Sequence, residues 1–422
     1  MKFVLASYGT RGDVEPCVAL GRELLRRGHD VCVAVPPDLF GFAEAAGLAA
    51  VAYGPDARTW QAVHRDFLAC LLRRPWKIAD LIRLYREDWR LLNLCWNEVS
   101  TTLTSLADGA DLLFTGVIGE QAAANVAESC DVPLATLHTY PMRANGQLLP
   151  FLPAPLARFA MTVFEWPDRL LTKKLEDAQR GHLGLPKATG LPSRRITERG
   201  WLEIQAYDAV CFPGLVAEWA KFNGRRPFVG ALTIEFPTDA DAEVASWIAA
   251  GTPPIFFGFG SMPVSSAADT FAMISAACAQ LGERALVCAG GTDFSHLPHV
   301  DHVKVVDALN YAAIFPACRA VVHHGGAGTT AAGLRAGVPT LILSTWPDQT
   351  LWGTVVKRLK VGTARRFSST TQQSLVSELR TILAPHYLSR AREIATRMTK
   401  AADSVAAAAD LIENFASRRA VG

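Results

Sequence analysis

The chain has 422 residues, of which half are hydrophobic and 19% are charged, and its formal net charge is +2. This length exceeds what one hydrophobic core usually supports, so two domains are expected, and the composition excludes a disordered chain. The near balance of charge gives no electrostatic reason to expect nucleic-acid binding. Scattered cysteines without a Cys-x-x-Cys pair argue against a structural zinc site. No apolar run is long enough for a signal peptide or a bilayer span, so a cytoplasmic protein is expected.

The amino-terminal half opens with a β–α–β pattern. Residues 3–6 and 31–35 are apolar runs, and residues 18–27 place leucines on one helical face. A similar apolar run at 110–114 extends the pattern, which predicts a parallel sheet covered by helices. The loop at 9–16 then lies at the carboxyl edge of the sheet, where open α/β sheets bind ligands. It lacks the Gly-x-Gly-x-x-Gly spacing, so a nicotinamide or flavin site is disfavoured.

Two stretches of this half have a different character. Residues 60–99 alternate aromatic and aliphatic side chains with arginines and lysines, which predicts a pair of basic amphipathic helices. Such helices can pack on the sheet with a solvated basic face, or they can line an apolar acceptor groove or contact anionic lipid. Residues 138–192, rich in proline, phenylalanine and arginine, predict an irregular region that covers the same groove.

The second half repeats the α/β pattern, with apolar runs at 254–259, 285–289, 303–306, 320–322 and 340–343 and a helical tail from residue 386. Residues 213–237, rich in glycine and proline, predict an interdomain linker. Asp239 and Asp241 resemble an Asp-x-Asp metal motif. They directly precede a helical pattern, however, and are interpreted as capping acids.

One stretch of the second half predicts an anion site. Residues 321–330 read Val-Val-His-His-Gly-Gly-Ala-Gly-Thr-Thr, which is a strand followed by a glycine-rich turn and a helix. The first N–H groups of such a helix are unpaired, and the helix dipole favours negative charge there. A phosphate or diphosphate is therefore the expected ligand, although the pattern is also compatible with a tight turn around a core histidine.

Four motifs together carry a family resemblance. They are Gly-Thr-Arg-Gly-Asp-Val-Glu-Pro at 9–16, Gly-Phe-Gly-Ser-Met at 258–262, His-His-Gly-Gly-Ala-Gly-Thr-Thr at 323–330 and Asp-Gln at 348–349. In this order they resemble the inverting two-domain (GT-B) glycosyltransferases of antibiotics, macrolides and sterols. The wording, including Val-Asp-Ala-Leu-Asn-Tyr at 306–311, is most similar to the mycobacterial transferases that glycosylate glycopeptidolipids.

The resemblance implies an α/β protein with the GT-B fold, in which two Rossmann-like domains face each other across a cleft. The expected bounds are an acceptor-binding domain at 1–212, a linker at 213–237, a nucleotide-sugar-binding domain at 238–390 and a helical tail at 391–422 that packs back on the first domain.

It also implies roles for individual residues. Asp13 would be the general base, and Asp348 and Gln349 would bind the donor sugar. The implied diphosphate-binding residues are Thr10, Ser261, His324, Gly326, Gly328 and Thr329. Possible acceptor-binding residues are His138, Trp60, Trp76 and Trp166. His323 is expected to pack in or behind the strand rather than to bind phosphate.

Structural alternatives accompany these roles. Asp13 could cap a helix that starts at Val14, and Asp348 and Gln349 could mark another helix N-terminus. His138 and Asp111 are candidates for tuning Asp13. Many relatives have a tryptophan that stacks on the nucleotide base where this chain has Ala308, so the resemblance leaves the choice between uracil and thymine open.

The predicted reaction is metal-independent, inverting transfer of a hexose from a dTDP- or UDP-sugar to a hydroxyl of a lipophilic acceptor, without a cofactor. The glycopeptidolipid likeness favours a 6-deoxyhexose such as L-rhamnose or 6-deoxytalose. Alternatives are a glucosyltransferase for a sterol or antibiotic aglycone, a nucleotide-sugar 2-epimerase on the same fold, and a non-enzymatic lipid- or sugar-binding protein. The expected partners are the nucleotide sugar and the acceptor, with peripheral membrane contact through the first domain and a monomer or weak dimer.

Overall fold

The computed structural model describes residues 1–73, 76–260, 266–292, 294, 296 and 298–420, and of residues 61, 68, 69, 71–73, 419 and 420 the backbone alone. The chain divides into two compact units. Unit 1 comprises Met1–Ala206, Pro213–Leu232 and the residues from Ala401 onward, and unit 2 comprises Tyr207–Phe212 and Thr233–Lys400. Among the described residues, no helix is long and apolar enough to cross a membrane.

Unit 1 is built on a six-stranded parallel sheet with the order β3-β2-β1-β4-β5-β6. Its strands are β1 (Lys2–Ala6), β2 (Asp30–Val35), β3 (Ala50–Ala52), β4 (Leu112–Thr115), β5 (Leu134–His138) and β6 (Leu202–Gln205). Its helices are α1 (Arg11–Arg26), α2 (Phe40–Ala45), α3 (Ala57–Arg73), α4 (Ile78–Ala107), α5 (Glu120–Ser129), α6 (Ala154–His182), α7 (Pro192–Glu198), α8 (Pro213–Trp219) and α16 (Ala401–Ala420). Phe3, Val4, Leu5 and Ala6 are all fully buried, as expected for a strand with helices on both faces of its sheet.

Unit 2 has a second six-stranded parallel sheet, with the order β12-β11-β10-β7-β8-β9. Its strands are β7 (Ile255–Gly258), β8 (Ala285–Cys288), β9 (Val303–Val306), β10 (Ala320–His323), β11 (Thr340–Ser344) and β12 (Gly362–Arg366). Its helices are α9 (Asp241–Ala249), α10 (Ala267–Leu281), α11 (Tyr311–Ile314), α12 (Ala327–Ala336), α13 (Pro347–Leu359), α14 (Gln372–Ile382) and α15 (Pro385–Ala395). If the strands of each unit are numbered from its own first strand, both sheets have the order 3-2-1-4-5-6, the second sheet being read from the β9 edge.

The core of unit 2 follows the two-residue repeat of its strands. On β7, Ile255 and Phe257 face one apolar cluster, whereas Phe256 faces the other. The first cluster includes side chains of α10 and α14, and the second includes side chains of α9, α11 and the 3₁₀ turn after α11. Helices on both faces explain why these strands are continuous apolar runs.

Two predicted elements differ from the structure. Helix α1 begins at Arg11, seven residues earlier than the helix expected from Val18, because Thr10 and Asp13 form a capping box that outweighs Gly12 and Pro16. Residues 138–192 are not an irregular region, since α6 spans 29 of them with Pro167 inside the helix. The prolines at 150, 153, 155 and 167 are helix-breaking signals that obscure this helix in the sequence.

The chain passes between the units more often than a single linker would require. Of the expected linker at 213–237, Pro213–Leu232 belongs to unit 1 and the remainder to unit 2. Tyr207–Phe212 belongs to unit 2, where the Phe212 and Trp352 rings lie 5.7 Å apart. Helix α16 belongs to unit 1, where Arg27, the C-cap residue of α1, pairs with Asp410 and Glu413 at 2.6 Å each.

Candidate active site

Each unit has its candidate site residues at the point where the strand order reverses. These points lie between β1 and β4 in unit 1 and between β7 and β10 in unit 2. In open α/β sheets such a switch point opens a crevice at the carboxyl ends of the strands. In each unit the two loops beside the crevice lie close together. In unit 1 a Cβ at Gly116 would lie 2.9 Å from Ser7 Oγ, and in unit 2 a Cβ at Gly260 would lie 2.8 Å from His324 Cε1.

Asp13 is the third residue of α1 and its side chain faces back to the loop after β1. One carboxylate oxygen, Oδ2, accepts hydrogen bonds from the Thr10 backbone N–H at 2.8 Å and the Thr10 hydroxyl at 3.0 Å. Gly9, with φ of 128°, leaves the space that this carboxylate occupies, since a Cβ there would lie 2.4 Å from Oδ2. Asp13 therefore caps α1 in the structure, and its carboxylate is held in one orientation at the carboxyl edge of the sheet.

A second carboxylate of the same edge holds a histidine that sequence reasoning missed. Asp88 of α4 lies 3.1 Å from His64 Nδ1 of α3, and it accepts a hydrogen bond from Trp60 Nε1 at 3.1 Å. The Trp60 ring also contacts Tyr8, with 5.9 Å between ring centroids, and Tyr8 precedes Thr10 in the loop after β1. Because Asp88 accepts at Nδ1, the neutral tautomer of His64 presents an unprotonated Nε2. His64 and Asp88 are 24 residues apart on different helices, so no sequence pattern joins them.

Of the two predicted tuning partners of Asp13, Asp111 lies away from it and His138 has a carboxylate partner of its own. Asp111 accepts the Lys2 backbone N–H at 2.7 Å, which puts it at the amino-terminal edge of β1, the far end from Asp13. His138 is fully buried, and its Nε2 lies 2.9 Å from Glu120 Oε1. Glu120 also pairs with Arg143. Burial alone would raise the pKa of Glu120, but Arg143 and His138 hold it well below its usual value. His138 is thus part of an internal charge network.

Of the three proposed acceptor tryptophans, two are exposed and one is partly buried. The Trp76 side chain, between α3 and α4, is 72% exposed, and Trp166 on α6 is 46% exposed. Trp60 is partly buried between Tyr8 and Asp88. Of the four acceptor candidates, Trp60 is the one that the structure joins to the loop before Asp13.

In unit 2, His324 lies between two glycine segments at the carboxyl edge. Its ring is 2.8 Å from the position of a Cβ at Gly260 and 2.7 Å from that of a Cβ at Gly326, so only glycine fits on either side. Burial lowers the pKa of His324 to about 4, and the nearby Gly258 backbone offsets part of this effect. Its buried Nδ1 has no hydrogen-bond partner among the described residues. Ser261, predicted to approach the same site, lies outside the described residues.

His323 has a different role from its neighbour. It is fully buried, and its Nδ1 accepts the Gly325 backbone N–H at 3.0 Å, so the neutral ring carries its proton on Nε2. Burial lowers the pKa of His323 well below its usual value. The side chain shapes the turn that carries His324.

Helix α12 starts directly after this turn. Gly326 is its N-cap residue, and Ala327, Gly328 and Thr329 form its first turn. The first N–H groups of a helix have no partner within it, and Gly328 is exposed. Thr330, the next residue, turns inward and donates its hydroxyl to the Gly326 carbonyl at 2.8 Å. This helix end and His324 form one anion-attracting corner.

The Asp348-Gln349 motif borders the same corner. A Cβ at Gly325 would lie 3.0 Å from the Gln349 carbonyl oxygen, which places the start of α13 beside the turn before α12. Gln349 Oε1 accepts the backbone N–H groups of Thr345 at 2.8 Å and Trp346 at 3.0 Å, so Gln349 caps α13. Asp348 precedes it and is partly buried, and burial raises the pKa of its carboxyl.

Ala308 follows β9, on the other side of the unit 2 crevice. Asp241 holds this segment, because its carboxylate accepts the Asn310 backbone N–H at 3.0 Å and the Thr238 N–H at 2.8 Å. Asp241 is thus a structural acid in the first turn of α9. Beside Ala308, Gly290 packs directly on the Gly260 backbone, since a Cβ there would lie 2.4 Å from the Gly260 carbonyl oxygen.

Two family models match the chain. The glycosyltransferase family 28 N-terminal domain covers residues 3–92, and the C-terminal domain of the erythromycin biosynthesis protein CIII-like family covers residues 279–414. The chain is also 61% identical over 420 residues to the uncharacterized glycosyltransferase Rv1524 of Mycobacterium tuberculosis. This match covers 99% of the chain and 100% of Rv1524. The chain belongs to this glycosyltransferase family.

More distant relatives agree. The present chain is 28% identical over 425 residues to the sterol 3-beta-glucosyltransferase UGT80B1 of Arabidopsis thaliana. This match covers 97% of the chain and 67% of UGT80B1. Among solved structures, the kitacinnamycin glycotransferase has a TM-score of 0.70 at 17% identity over 98% of both chains. VinC, solved with dTDP, has a TM-score of 0.66 at 19% identity over 99% of this chain and 100% of that chain. The expected GT-B fold of the glycosyltransferase is confirmed.

Proposed function

We propose that this glycosyltransferase moves a hexose from a dTDP- or UDP-sugar to a hydroxyl of a lipophilic acceptor, with inversion at the anomeric carbon. The corner formed by His324 and the start of α12 is the observation that carries this proposal. It combines a helix N-terminus with a buried ring nitrogen, Nδ1, that lacks a partner in the described part of the chain. An anion with several acceptor oxygens would satisfy both.

The donor diphosphate would lie at this corner. Its oxygens would accept from the backbone of Gly326 and Gly328, from Thr329 and from His324. The low pKa of His324 means that the free enzyme offers a neutral imidazole rather than a fixed charge at neutral pH. The helix dipole would then supply the positive potential, and the bound diphosphate would itself favour protonation of the ring. The dTDP bound to VinC supports a nucleoside diphosphate as the ligand.

The sugar would lie next to the diphosphate, against the start of α13. Asp348 would bind its hydroxyls. Gln349 would contribute through its amide nitrogen, because its Oε1 already accepts two backbone N–H groups.

Transfer would be a single in-line displacement. The acceptor oxygen forms a bond to the anomeric carbon as the bond from that carbon to the diphosphate oxygen breaks, and the acceptor proton passes to Asp13. A carboxylate is a weak base for an alcohol, so the proton would move late. His64, oriented by Asp88, is a second possible proton acceptor at the same edge of unit 1. No metal or cofactor takes part in this scheme.

For the acceptor we propose a glycopeptidolipid or a related glycolipid, and for the sugar a 6-deoxyhexose such as L-rhamnose or 6-deoxytalose. Both rest on the motif resemblance alone. Trp60 would be the acceptor contact nearest the base. Glucosyl transfer to a sterol is the second candidate, because of the likeness to UGT80B1. A 2-epimerase is not favoured, since the relatives named above are glycosyltransferases.

A panel of nucleotide sugars tests the proposal, first by thermal shift and then by product analysis with lipid extract and EDTA. One dTDP- or UDP-sugar should stabilise the fold, and sugar should appear on lipid with EDTA present. His324→Ala should weaken binding of the bare nucleoside diphosphate at least tenfold. His299→Ala, at an exposed histidine of the same unit, is the control. Equal binding by wild type and His324→Ala would place the diphosphate elsewhere, and free sugar as the only product would exclude transfer.

A further inference from the structure

Helix α6 of unit 1 has its apolar face in solvent. Leu156, Phe159, Val163 and Leu170 follow one another at intervals of three, four and seven residues, which places them in one row along the helix. Phe164 and Leu171 widen the row by one position. All six are exposed, with Phe159 at 68% and Phe164 at 76%. An apolar ridge of this size on a soluble protein marks an interaction surface.

The opposite face of α6 is polar and buried, and it fixes the orientation of the helix. Arg169 donates to the backbone carbonyls of Ala188 and Gly190 at 3.1 Å each and pairs with Glu176 at 2.7 Å. Arg180 pairs with Glu128 at 2.9 Å. Arg169, Glu176 and Arg180 are nearly inaccessible to water, so turning the apolar row inward would leave buried charges without partners. The exposed row is therefore part of the folded state.

Basic residues lie at the carboxyl end of the row, where Lys173 pairs with Asp177 at 3.0 Å. Between Leu156 and Leu171, α6 has two carboxylates: Glu165 points away from the row, and exposed Asp168 lies beside Phe164 and Leu171. Exposed Lys173 and Lys174 follow its last residue. Trp166, 46% exposed, lies at its side, in the position that indole rings take at a membrane surface. Apolar row, flanking indole and terminal lysines together match an anionic lipid surface.

Helix α4 of the same unit has a shorter row of the same kind. Ile78, Ile82 and Tyr85 are spaced by four and three residues and are exposed, next to exposed Arg83 and Arg86. A convex helix row provides no groove for a partner helix. It can instead sink into the boundary between lipid headgroups and acyl chains.

We propose that α6 binds the surface of an anionic membrane, with Phe159, Phe164 and Leu170 below the headgroups and Lys174 among them. Trp76 and the basic helices α3 and α4 were the sequence-based candidates for lipid contact, and α6 has the larger apolar face. This binding is separate from the transfer reaction, because it needs neither donor nor acceptor.

Vesicle sedimentation tests the proposal without turnover. Wild-type protein should sediment with vesicles of phosphatidylglycerol and phosphatidylcholine, and less with phosphatidylcholine alone. The double variant Phe159→Ser, Phe164→Ser should bind at least tenfold more weakly. Leu25→Ser, at a 43% exposed leucine of α1, is the matched control and should bind as the wild type. Lys174→Glu should weaken binding to the anionic vesicles only.

Three results would overturn the proposal. In the first, the wild-type protein stays in the supernatant with every vesicle. In the second, the double variant binds vesicles as well as the wild type does. In the third, Leu25→Ser loses as much vesicle binding as the double variant. Sedimentation velocity without vesicles identifies the alternative occupant. A wild-type dimer that the double variant converts to a monomer, without vesicle binding, would assign the row to a second copy of the chain. Donor binding by each variant is measured separately, so a failed function assignment does not affect this outcome.

Discussion

Asp13 combines a structural and a proposed chemical role, and one substitution can separate them. Asp13→Asn keeps an oxygen that can accept from Thr10 and so should keep the cap, whereas it cannot take a proton. We expect transfer to fall about 100- to 10,000-fold with little change in nucleoside-diphosphate affinity. Rate measurements and calorimetric titration check this.

The matched variant Asp13→Ala should lose the cap as well, at a cost of about 1 kcal/mol in the free energy of unfolding. If Asp13→Asn keeps full turnover, Asp13 is not the base. His64→Gln is then the variant to measure, since His64 is the other proton acceptor held by a carboxylate at this edge.

His324 should make stability depend on pH. Its pKa is about 4 in the folded protein against 6.5 for a free imidazole, so the unfolded chain takes up the proton first as pH falls. The contribution is therefore fully present above pH 6.5 and declines toward pH 4, and the loss at pH 5 is about 2 kcal/mol. Urea unfolding at pH 7.5 and pH 5 should show a smaller loss for His324→Gln than for wild type. An equal loss of unfolding free energy in the wild type and in His324→Gln would show that folding does not lower the pKa of His324.

At the scale of secondary-structure elements, the glycine turns at Gly260 and Gly326 hold the His324 ring. Gly260 has φ of 60°, and a Cβ there would lie 2.8 Å from that ring. Gly282, which serves as the control, has a similar φ of 67°, but a Cβ there would have nothing within 4 Å. Gly282→Ala should cost about 1 kcal/mol from the backbone conformation alone. Gly260→Ala should cost more, and only it should weaken nucleoside-diphosphate binding tenfold or more. Chemical denaturation and titration of both variants test this, and equal binding would separate the turn from the site.

Elements with a strong local signal could be predicted from the sequence. The apolar runs at β1, β2, β7, β8 and β10 and the helix pair α3 and α4 agree with the structure because period and turn residues are local properties. The short strand β3 and the two edges β6 and β12 have weak runs and were not predicted. Helix α6 was missed because the prolines at 150, 153, 155 and 167 indicate breaks in a helix, although its apolar residues keep a helical spacing.

The candidate site could be predicted only in part, for the same reason. His324 and Gly326 belong to one contiguous motif, so the sequence placed them together. The pairs His64–Asp88 and His138–Glu120 join residues of separate elements, and their proximity depends on strand order and helix packing. Asp111 shows the converse. It was a candidate for tuning Asp13, but it lies at the opposite end of the sheet.

At the scale of the whole molecule, the two units should respond separately to surface substitutions. Glu413 of α16 lies 2.6 Å from both Arg27 and His29 in unit 1, and it is partly buried. Glu413→Ala should cost about 1 kcal/mol and speed hydrogen exchange in α1 and β2. Glu243→Ala, which removes the 2.6 Å pair with Lys304, is the matched variant in unit 2. Exchange that rises equally in both units in either variant would contradict separate stability.

The place of α16 in unit 1 has a consequence for synthesis of the chain. Residues 233–400 leave the ribosome after β1, β2 and α1 and before the helix that covers them. Unit 2 is then complete while Arg27 and His29 still await Asp410 and Glu413. Domains usually fold in the order in which they are translated. In this enzyme unit 2 can reach its native state first, and unit 1 must remain open to its last helix until translation has passed residue 400.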